Sequence, residues 1–316
     1  MAAAGHPPLV AVAHGSKDPR AAATVSELLG VVASRAAEAP GGGVDVRAAF
    51  LDHCAPSLPQ ALGALGGGRM RSCIVVPLLL TAAYHSKSDI PAQLAAASGA
   101  AASGGALDVR CADTLGPHPL LLAALERRLR EAGVAVDSAA DRARTAVVLA
   151  AAGSSDPAAN ATIADLAAGW QRDRGWRAVV PAYASAAGPS PAEAVAAVDD
   201  GRGPVVVATY LLAPGYFADK IRAAAAGAGA AAVSGVLGAA PEVADVVLAR
   251  YRAAAALSPG RADVRLCDRL WPECDYSDRA VATRRLGPVS KVLHTGKPTW
   301  NGCYGACAAA AHNLTR

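Results

Sequence analysis

The sequence contains one pattern twice, and this internal repeat limits the possible folds more than any other feature. Residues 12–19 read VAHGSKDP, and residues 150–157 read AAAGSSDP. Two further pairs of similar segments follow in the same order and at nearly the same offset: 49–52 with 182–185, and 79–85 with 211–217. Three matched pairs in one order indicate that the chain is a tandem duplication of one structural unit.

Within each copy, short apolar runs alternate with alanine-rich segments that favour helices. Strands are predicted at 9–13, 44–50, 72–80, 107–111, 145–151, 178–183, 205–212 and 231–236. Helices are predicted at 20–38, 57–65, 88–97, 117–132, 158–172, 191–198, 218–226 and 241–255. Residues 73–80 (CIVVPLLL) are continuously apolar, as a strand of a parallel sheet covered on both faces must be. The pattern predicts an α/β fold of two tandem doubly wound domains, each with a mainly four-stranded parallel sheet flanked by helices.

The repeat also predicts the division of the chain. We expect an amino-terminal domain at 1–136 and a second copy at 143–257, joined by a polar linker within residues 133–144. The remaining residues, 258–316, lack the alternation of strands and helices and form an irregular tail. That tail contains four of the seven cysteines: Cys267, Cys274, Cys303 and Cys307.

Composition excludes several classes of protein. Of the 316 residues, 53% are hydrophobic and 18% are charged, which excludes intrinsic disorder. Aromatic residues make up only 4%, and the net charge of +4 includes no basic run, so no nucleic-acid partner is expected. The longest uncharged run, 223–241, is too rich in alanine and glycine to span a bilayer, and the amino terminus does not resemble a signal peptide. We therefore expect a cytoplasmic protein without a membrane partner, a monomer with two pseudo-symmetric halves.

The residues that both copies retain are expected to be structural. Gly15, Ser16, Asp18 and Pro19 all recur in the second copy. Glycine suits a tight turn between strand and helix, Asp or Ser caps a helix, and proline suits its first turn. These four residues therefore predict the geometry of a turn.

The residues that differ between the copies are the candidates for chemistry. His14, Asp52 and His85 each follow one of the first three predicted strands. Their counterparts in the second copy are Ala152, Ser185 and Phe217. Ligands bind at the carboxyl edge of an open parallel sheet, so two imidazoles and a carboxylate are expected at one cleft. Imidazole binds Fe, Co, Ni and Zn and accepts protons near neutral pH.

Other polar and aromatic residues near these positions have simpler interpretations. Strand alternation places His53 on the side opposite Asp52, which indicates a structural role. Tyr84 and Tyr216 occur in both copies, which favours packing, with a wall of the binding cleft as the alternative.

Three segments together resemble the class II sirohydrochlorin chelatases. They are 10–20 (VAVAHGSKDPR), 50–52 with 56–57, and 76–80 followed by His85. The resemblance extends over about residues 9–255 and implies a bilobal enzyme that inserts a divalent metal into sirohydrochlorin without ATP. It also implies that His14 and His85 handle the metal and accept protons. The family usually has Glu at the position of Asp52, so the carboxylate here has a shorter reach.

The resemblance implies a carboxylate-rich tetrapyrrole as substrate. Backbone N–H groups at a helix N-terminus, hydroxyls and cations bind carboxylates. The candidates for this contact are Gly15, Ser16, Lys17, Arg20, Ser86, Lys87 and Ser88. Iron insertion for sirohaem is the expected reaction, cobalt insertion for cobalamin is the alternative, and a metal-binding chaperone or storage protein is a third hypothesis. Nucleotide binding is not favoured, because neither glycine-rich phosphate motif follows the first strand.

The tail cysteines leave two interpretations open. Six residues separate Cys267 from Cys274, and three separate Cys303 from Cys307, whereas zinc and ferredoxin sites commonly have two. Some relatives carry metal-rich tails, which keeps an iron–sulfur cluster or zinc site as one hypothesis. The other is a flexible extension with unpaired thiols.

Overall fold

The computed structural model describes residues 6–39, 43–66, 72–81, 90, 93–94 and 107–256. Each repeat contributes one four-stranded sheet in which all strands are parallel. The first sheet contains β1 (Leu9–Ala13), β2 (Val46–Phe50), β3 (Ser72–Pro77) and β4 (Asp108–Cys111). The second contains β5 (Ala146–Ala151), β6 (Ala178–Tyr183), β7 (Val205–Thr209) and β8 (Ala232–Val233). The prediction of two parallel α/β sheets is confirmed.

The two sheets have the same strand order. It is β2-β1-β3-β4 in the first repeat and β6-β5-β7-β8 in the second. The central strands β1 and β5 are buried along their whole length, which explains why their residues are apolar at every position. The second strand of each repeat lies on one side of the first strand, and the third lies on the other side. The carboxyl ends of β1 and β3, and of β5 and β7, therefore border the crevice where ligands bind in such sheets.

Helices follow the strands in both repeats. They are α1 (Pro19–Glu38), α2 (Leu58–Gly66), α3 (Pro119–Glu131), α4 (Ala139–Arg142), α5 (Pro157–Arg174), α6 (Pro191–Val198), α7 (Tyr216–Gly227) and α8 (Pro241–Ala255). Both α1 and α5 begin as predicted, with proline in the first turn and an aspartate cap. Asp18 accepts from the Arg20 N–H and Asp156 accepts from the Ala158 N–H, each at 2.9 Å.

The described residues form a core of three clusters. One cluster lies between the two sheets and includes apolar residues of α1, α3, α5 and α8 from both repeats. Its largest fully buried side chain is that of Trp170, which packs edge to face on Trp176 at 5.8 Å between ring centroids. A second cluster covers the other face of the second sheet, and a third covers the other face of the first sheet. Each sheet is therefore covered on both faces.

The last helices of the two repeats are exchanged. Helix α8, from the second repeat, packs on α1, β3 and β4 of the first, and α3, from the first repeat, packs on β7 of the second. Ion pairs lie along this exchange. Arg35 Nε lies 2.6 Å from Asp245 Oδ1, and Arg127 Nη2 lies 2.6 Å from Glu242 Oε1. The two repeats therefore share one core.

A buried carboxylate also joins the repeats. Glu126 of α3 accepts from the Trp170 indole at 3.0 Å and from the Arg174 guanidinium at 2.7 and 2.8 Å. Only 9% of Glu126 is exposed, so these bonds satisfy a charge that would otherwise destabilise the core.

The described residues all belong to one compact unit. The boundaries 1–136 and 143–257 stay predictions about the repeats. The predicted helix 88–97, outside residues 90 and 93–94, and the tail 258–316 lie outside the described residues. Among the described residues, every helix is too short or too polar to cross a bilayer.

Candidate functional site

The turn between β1 and α1 positions His14 at the carboxyl edge of the first sheet. His14 directly follows β1 and is exposed, with its Nδ1 at 3.1 Å from the Gly15 carbonyl oxygen. Gly15 has φ +90°, and a Cβ there would lie 1.8 Å from the Asp52 carbonyl oxygen. Only glycine permits this approach of the ends of β1 and β2. The Ser16 hydroxyl then accepts from the Asp18 N–H at 3.0 Å, which fixes the entry into α1.

The second repeat builds the same turn without the histidine. Gly153 has φ +84°, and a Cβ there would lie 2.0 Å from the Ser185 carbonyl oxygen. The Ser154 hydroxyl accepts from the Asp156 N–H at 3.0 Å. The side chain of Asn160 stabilises this turn further, because it bonds to both the N–H and the carbonyl of Ser154. The prediction that these shared residues are structural is confirmed.

The two turns face one cavity of about 840 Å³. Its walls come from the carboxyl ends of β1 and β3 in the first repeat and of β5 and β7 in the second. The lining is mostly apolar, with His14, Ser16, Lys17 and His53 from the first repeat and Ser154, Ser155 and Asn160 from the second among its polar members. A volume of this size is typical of sites for small organic ligands.

The segments after β3 and β7 are apolar because they line this cavity. The sequence predicts strands to residues 80 and 212, but β3 ends at Pro77 and β7 ends at Thr209. Leu79 and Leu80 line the cavity from one side, and Leu211 and Leu212 line it from the other. In the sequence, these cavity-lining leucines therefore have the same apolar pattern as a longer strand.

A hydrogen bond joins the two walls of the cavity. The Tyr210 hydroxyl donates to the Leu80 carbonyl oxygen at 3.3 Å. Tyr210 is 2% exposed, and burial raises the pKa of its phenol, which keeps the group a donor. The spacing between the walls is therefore fixed by a direct contact.

Asp52 and His53 differ from the expectation based on strand alternation. Strand β2 ends at Phe50, and His53 has φ +61°, so alternation no longer applies at this point. His53 lines the cavity, whereas Asp52 is exposed outside its lining. The Asp52 carboxylate accepts from the His53 N–H at 2.8 Å and lies 3.4 Å from His53 Nε2. The placement of His53 on the side away from the site was wrong, and no feature of the sequence indicates its left-handed backbone.

Arg20 lies outside the cavity lining and makes ion pairs. Its guanidinium lies 2.6 Å from Asp18 Oδ2 and 2.6 Å from Asp219 Oδ2 of the second repeat. Hydrogen bonds to Asp18 and then to Asp219 raise the pKa of Arg20. Lys17, in contrast, lines the cavity and is exposed.

Two aromatic rings stand at the cavity from the first turn of α7. Tyr216 is 74% exposed and Phe217 is 38% exposed, and both line the cavity. The rings contact each other edge to face, with 5.5 Å between centroids. Packing, the favoured interpretation of Tyr216, is wrong, and the alternative that it forms a wall of the cleft is confirmed.

Several predicted site residues lie outside the described residues. They are His85, Ser86, Lys87 and Ser88 after β3, and Cys267, Cys274, Cys303 and Cys307 in the tail. Across the part of the chain that the structure describes, no three His, Cys, Asp or Glu side chains are grouped so that they could hold a metal ion.

The fold and the cavity define a class of protein: a duplicated, bilobal α/β protein with a cavity between the carboxyl edges of its two sheets. The family described as CbiX matches residues 8–132 and 146–254, which is more than half of the chain and includes both repeats. The chain therefore belongs to the CbiX family of class II chelatases, which confirms the resemblance found in the sequence.

One individual relative and two solved structures share 30% sequence identity or less with this chain. A sirohydrochlorin cobaltochelatase of Methanosarcina acetivorans is 30% identical over 83 residues, which are 26% of this chain and 60% of that relative. SirB from Bacillus subtilis, solved with Fe³⁺, is 24% identical with a TM-score of 0.67, over 79% of this chain and 96% of that one. SirB from the subspecies spizizenii, solved in complex with cobalt, is 21% identical with a TM-score of 0.63, over 79% and 95%. At these identities the solved structures establish the shared fold.

Proposed function

We propose that this protein inserts a divalent metal ion, Fe²⁺, into sirohydrochlorin without ATP, as a lyase of sirohaem biosynthesis. The observation that carries the proposal is the position of His14, at a cavity between two duplicated sheet edges where the second repeat has Ala152 instead. A structural histidine is expected in both copies of a duplicated turn. Its presence in one copy, at the cavity, supports a role in chemistry.

The cavity suits a flat macrocycle with acidic side chains. Alanine and leucine are the commonest residues of its walls, and aromatic rings join them, which matches the apolar faces of a tetrapyrrole. Polar groups occur at the two turns, where Lys17 and the Ser16 and Ser155 hydroxyls lie. The substrate's carboxylates would bind there, while the macrocycle occupies the apolar part.

His14 provides the metal-handling and proton-accepting group. Imidazole binds borderline divalent metals, and its second role follows from the stoichiometry of the reaction. As the metal ion enters, two pyrrole N–H bonds break, and each released proton needs an acceptor. The family resemblance assigns the second imidazole to His85, so His14 and His85 together would hold the ion and receive the protons.

We propose that Asp52 acts through His53 and not by direct contact with the metal. Its carboxylate bonds to His53 and is outside the cavity lining, while the His53 ring lines the cavity. A carboxylate that holds an imidazole fixes the orientation of the ring and offsets positive charge on it. This arrangement suits Asp52, whose side chain is shorter than the Glu usual in the family, because the His53 ring lies between the carboxylate and the cavity.

The contacts proposed for the substrate's carboxylates are of two kinds. Lys17 and the polar groups of Gly15 and Ser16 lie at the cavity and can bind directly. Arg20 already pairs with Asp18 and Asp219, so it would have to release one of them to bind substrate. Ser86, Lys87 and Ser88 stay predictions from the sequence.

Cobalt insertion for cobalamin synthesis is the second candidate, favoured by the cobaltochelatase relative. Imidazole ligands accept both metals, and availability commonly decides between such ions in the cell. The metal would be a substrate in either case. A cytoplasmic monomer, and a zinc ion or iron–sulfur cluster on the tail cysteines, belong to the proposal as predictions from the sequence.

Anaerobic incubation of the purified protein with sirohydrochlorin and Fe²⁺ or Co²⁺, followed by absorbance, tests the proposal. We expect the spectrum of the macrocycle to change to that of its metal complex at a rate above the protein-free rate. His14→Ala should lower this rate by about 100-fold or more, the usual range for loss of a proton-transfer group. His53→Asn should lower it less, because that residue is proposed to assist.

His6→Asn serves as the matched control, because His6 is an exposed histidine outside the cavity lining. Its rate should equal that of the parent protein. A folded His14→Ala variant with the parent rate would refute the mechanism. Stoichiometric metal binding with no change in the macrocycle spectrum would instead favour the chaperone or storage protein.

A further inference from the structure

The first turn of α7 presents an exposed aromatic ring to the cavity. Tyr216 is 74% exposed, although large apolar side chains are normally withdrawn from water. Among the described residues, Tyr216 and Phe217 are the large hydrophobic side chains that stay exposed, and both line the same cavity. A paired exposure of this kind at a cavity indicates a binding surface.

The backbone places these rings at the cavity. Gly215, immediately before α7, has φ +152° and ψ −170°, a conformation that is essentially restricted to glycine. Further along the helix, Ile221 and Ala225 are fully buried under the second sheet. The helix is thus anchored by its later turns, while its first turn lies at the cavity and carries the rings.

Phe217 occupies the position that His85 occupies in the first repeat. The second repeat thus has an apolar ring at this position of the repeat, and that ring is 38% exposed. On the first-repeat side of the same cavity lie His14 and Lys17. The cavity thus has a polar wall that carries the proposed chemistry and a wall that carries aromatic rings.

Resting on the proposed function, we infer that Tyr216 is the stacking platform for one face of the tetrapyrrole and that Phe217 supports it. The planes of the two rings differ by 62°, so a flat macrocycle can lie parallel to only one of them. Tyr216 has the larger exposed fraction, and Phe217 holds it by an edge-to-face contact. The other face of the macrocycle is then directed towards His14.

Binding of metal-free sirohydrochlorin, followed by absorbance during titration, separates this platform from the chemistry of insertion. Tyr216→Ala should raise the Kd about tenfold, which corresponds to about 1.4 kcal/mol. Tyr216→Phe is the matched control and should bind like the parent protein, because it keeps the ring. Phe217→Leu should raise the Kd by a smaller factor, about threefold.

Kinetics and stability provide further readouts. Tyr216→Ala should raise KM and leave kcat nearly unchanged, because a stacked face is bound alike before and during metal insertion. Its melting temperature should match that of the parent protein, since Tyr216 buries little surface. A purely structural role would instead lower the melting temperature and leave the Kd unchanged.

Two results would overturn the platform alone. One is an unchanged Kd for Tyr216→Ala, and the other is an equal loss for Tyr216→Ala and Tyr216→Phe, which would assign the effect to the hydroxyl. In both cases the parent protein still inserts metal, and the proposed function stands. A parent protein that binds no sirohydrochlorin would overturn the platform and the proposed function together.

Discussion

Replacing Gly15 by alanine tests how the site is built. Gly15 lies between His14 and the end of β2, where the Asp52 N–H donates to the His14 carbonyl oxygen at 2.9 Å. The new Cβ would lie 1.8 Å from the Asp52 carbonyl oxygen, whereas real Cβ contacts are essentially never under 3.0 Å. The ends of β1 and β2 must therefore separate by about 1 Å, and His14 moves with them.

The expected loss of stability has two parts. A residue with a side chain at a positive φ costs about 1–2 kcal/mol relative to glycine. Overpacking against fixed backbone adds about 1–3 kcal/mol. We therefore expect Gly15→Ala to lower the free energy of unfolding by about 2–5 kcal/mol.

Two other glycines supply the controls. Gly133 has φ +85° and nothing within 4 Å of an added Cβ, so Gly133→Ala should lose only the first part, about 1–2 kcal/mol. Gly153 has φ +84° and a contact of 2.0 Å to the Ser185 carbonyl oxygen, so Gly153→Ala should lose as much stability as Gly15→Ala. The second repeat has no histidine there, so Gly153→Ala should keep most of the metal-insertion rate.

Urea unfolding and the anaerobic insertion assay measure the two quantities separately. Equal destabilisation by Gly15→Ala and Gly133→Ala would refute the close approach of the strand ends as the reason for glycine. Equal loss of activity in Gly15→Ala and Gly153→Ala, at equal stability, would refute the assignment of the chemistry to the first repeat.

Three further predictions concern the link between the repeats and its stability. Tyr210→Phe removes the hydrogen bond to the Leu80 carbonyl and should lower the free energy of unfolding by about 1 kcal/mol in urea titrations. Burial, and then the charge of Arg250, lower the pKa of His118, whose Nδ1 accepts from the Leu120 N–H as the cap of α3. The unfolded chain therefore binds a proton at His118 more readily than the folded protein does. The stability contributed by the neutral His118 side chain is present above about pH 6.5 and is lost as the pH falls. His118→Asn keeps a cap and should make the melting temperature fall less between pH 7 and pH 5. Halves produced separately, divided in the linker, should unfold without cooperativity in calorimetry and should recover a cooperative transition when mixed, because α3 and α8 cover each other's sheets.

Most of the fold could be predicted because the apolar strands, the helix caps and the internal repeat all indicate the same architecture. The central strands β1 and β5 are apolar at every position, and the caps at Asp18 and Asp156 are repeated in the sequence. The errors lie at the cavity, where Leu79 and Leu211 extend the apolar runs although the strands have ended. Apolar residues that line a ligand cavity and those that continue a buried strand have the same pattern, so the sequence alone does not separate them.

The exchange of α3 and α8 was not predictable from the pattern of either helix. Each has an apolar face, and an apolar pattern alone does not specify which of two sheets that face covers. The choice depends on the path of the chain between the lobes, which hydrophobic periodicity does not report.

The candidate site was predicted in part, because the duplication separates changed residues from retained ones. That comparison identified His14, which lies at the cavity. It missed His53, because its left-handed backbone places it beyond the last residue where strand alternation holds. Recurrence in both copies favoured packing for Tyr216, because recurrence does not distinguish a buried ring from an exposed one.

The exchanged helices have a consequence for how a substrate is handled. Because α3 and α8 each complete the core of the other repeat, moving the two halves apart to widen the cavity would expose apolar residues of both cores. On the proposed function, the planar substrate would bind between walls that this shared core holds in place, and the bending that exposes its central nitrogens would be imposed on it by those walls. The strain in a bound macrocycle would then come from the stiffness of the shared core and not from a closing motion of the protein.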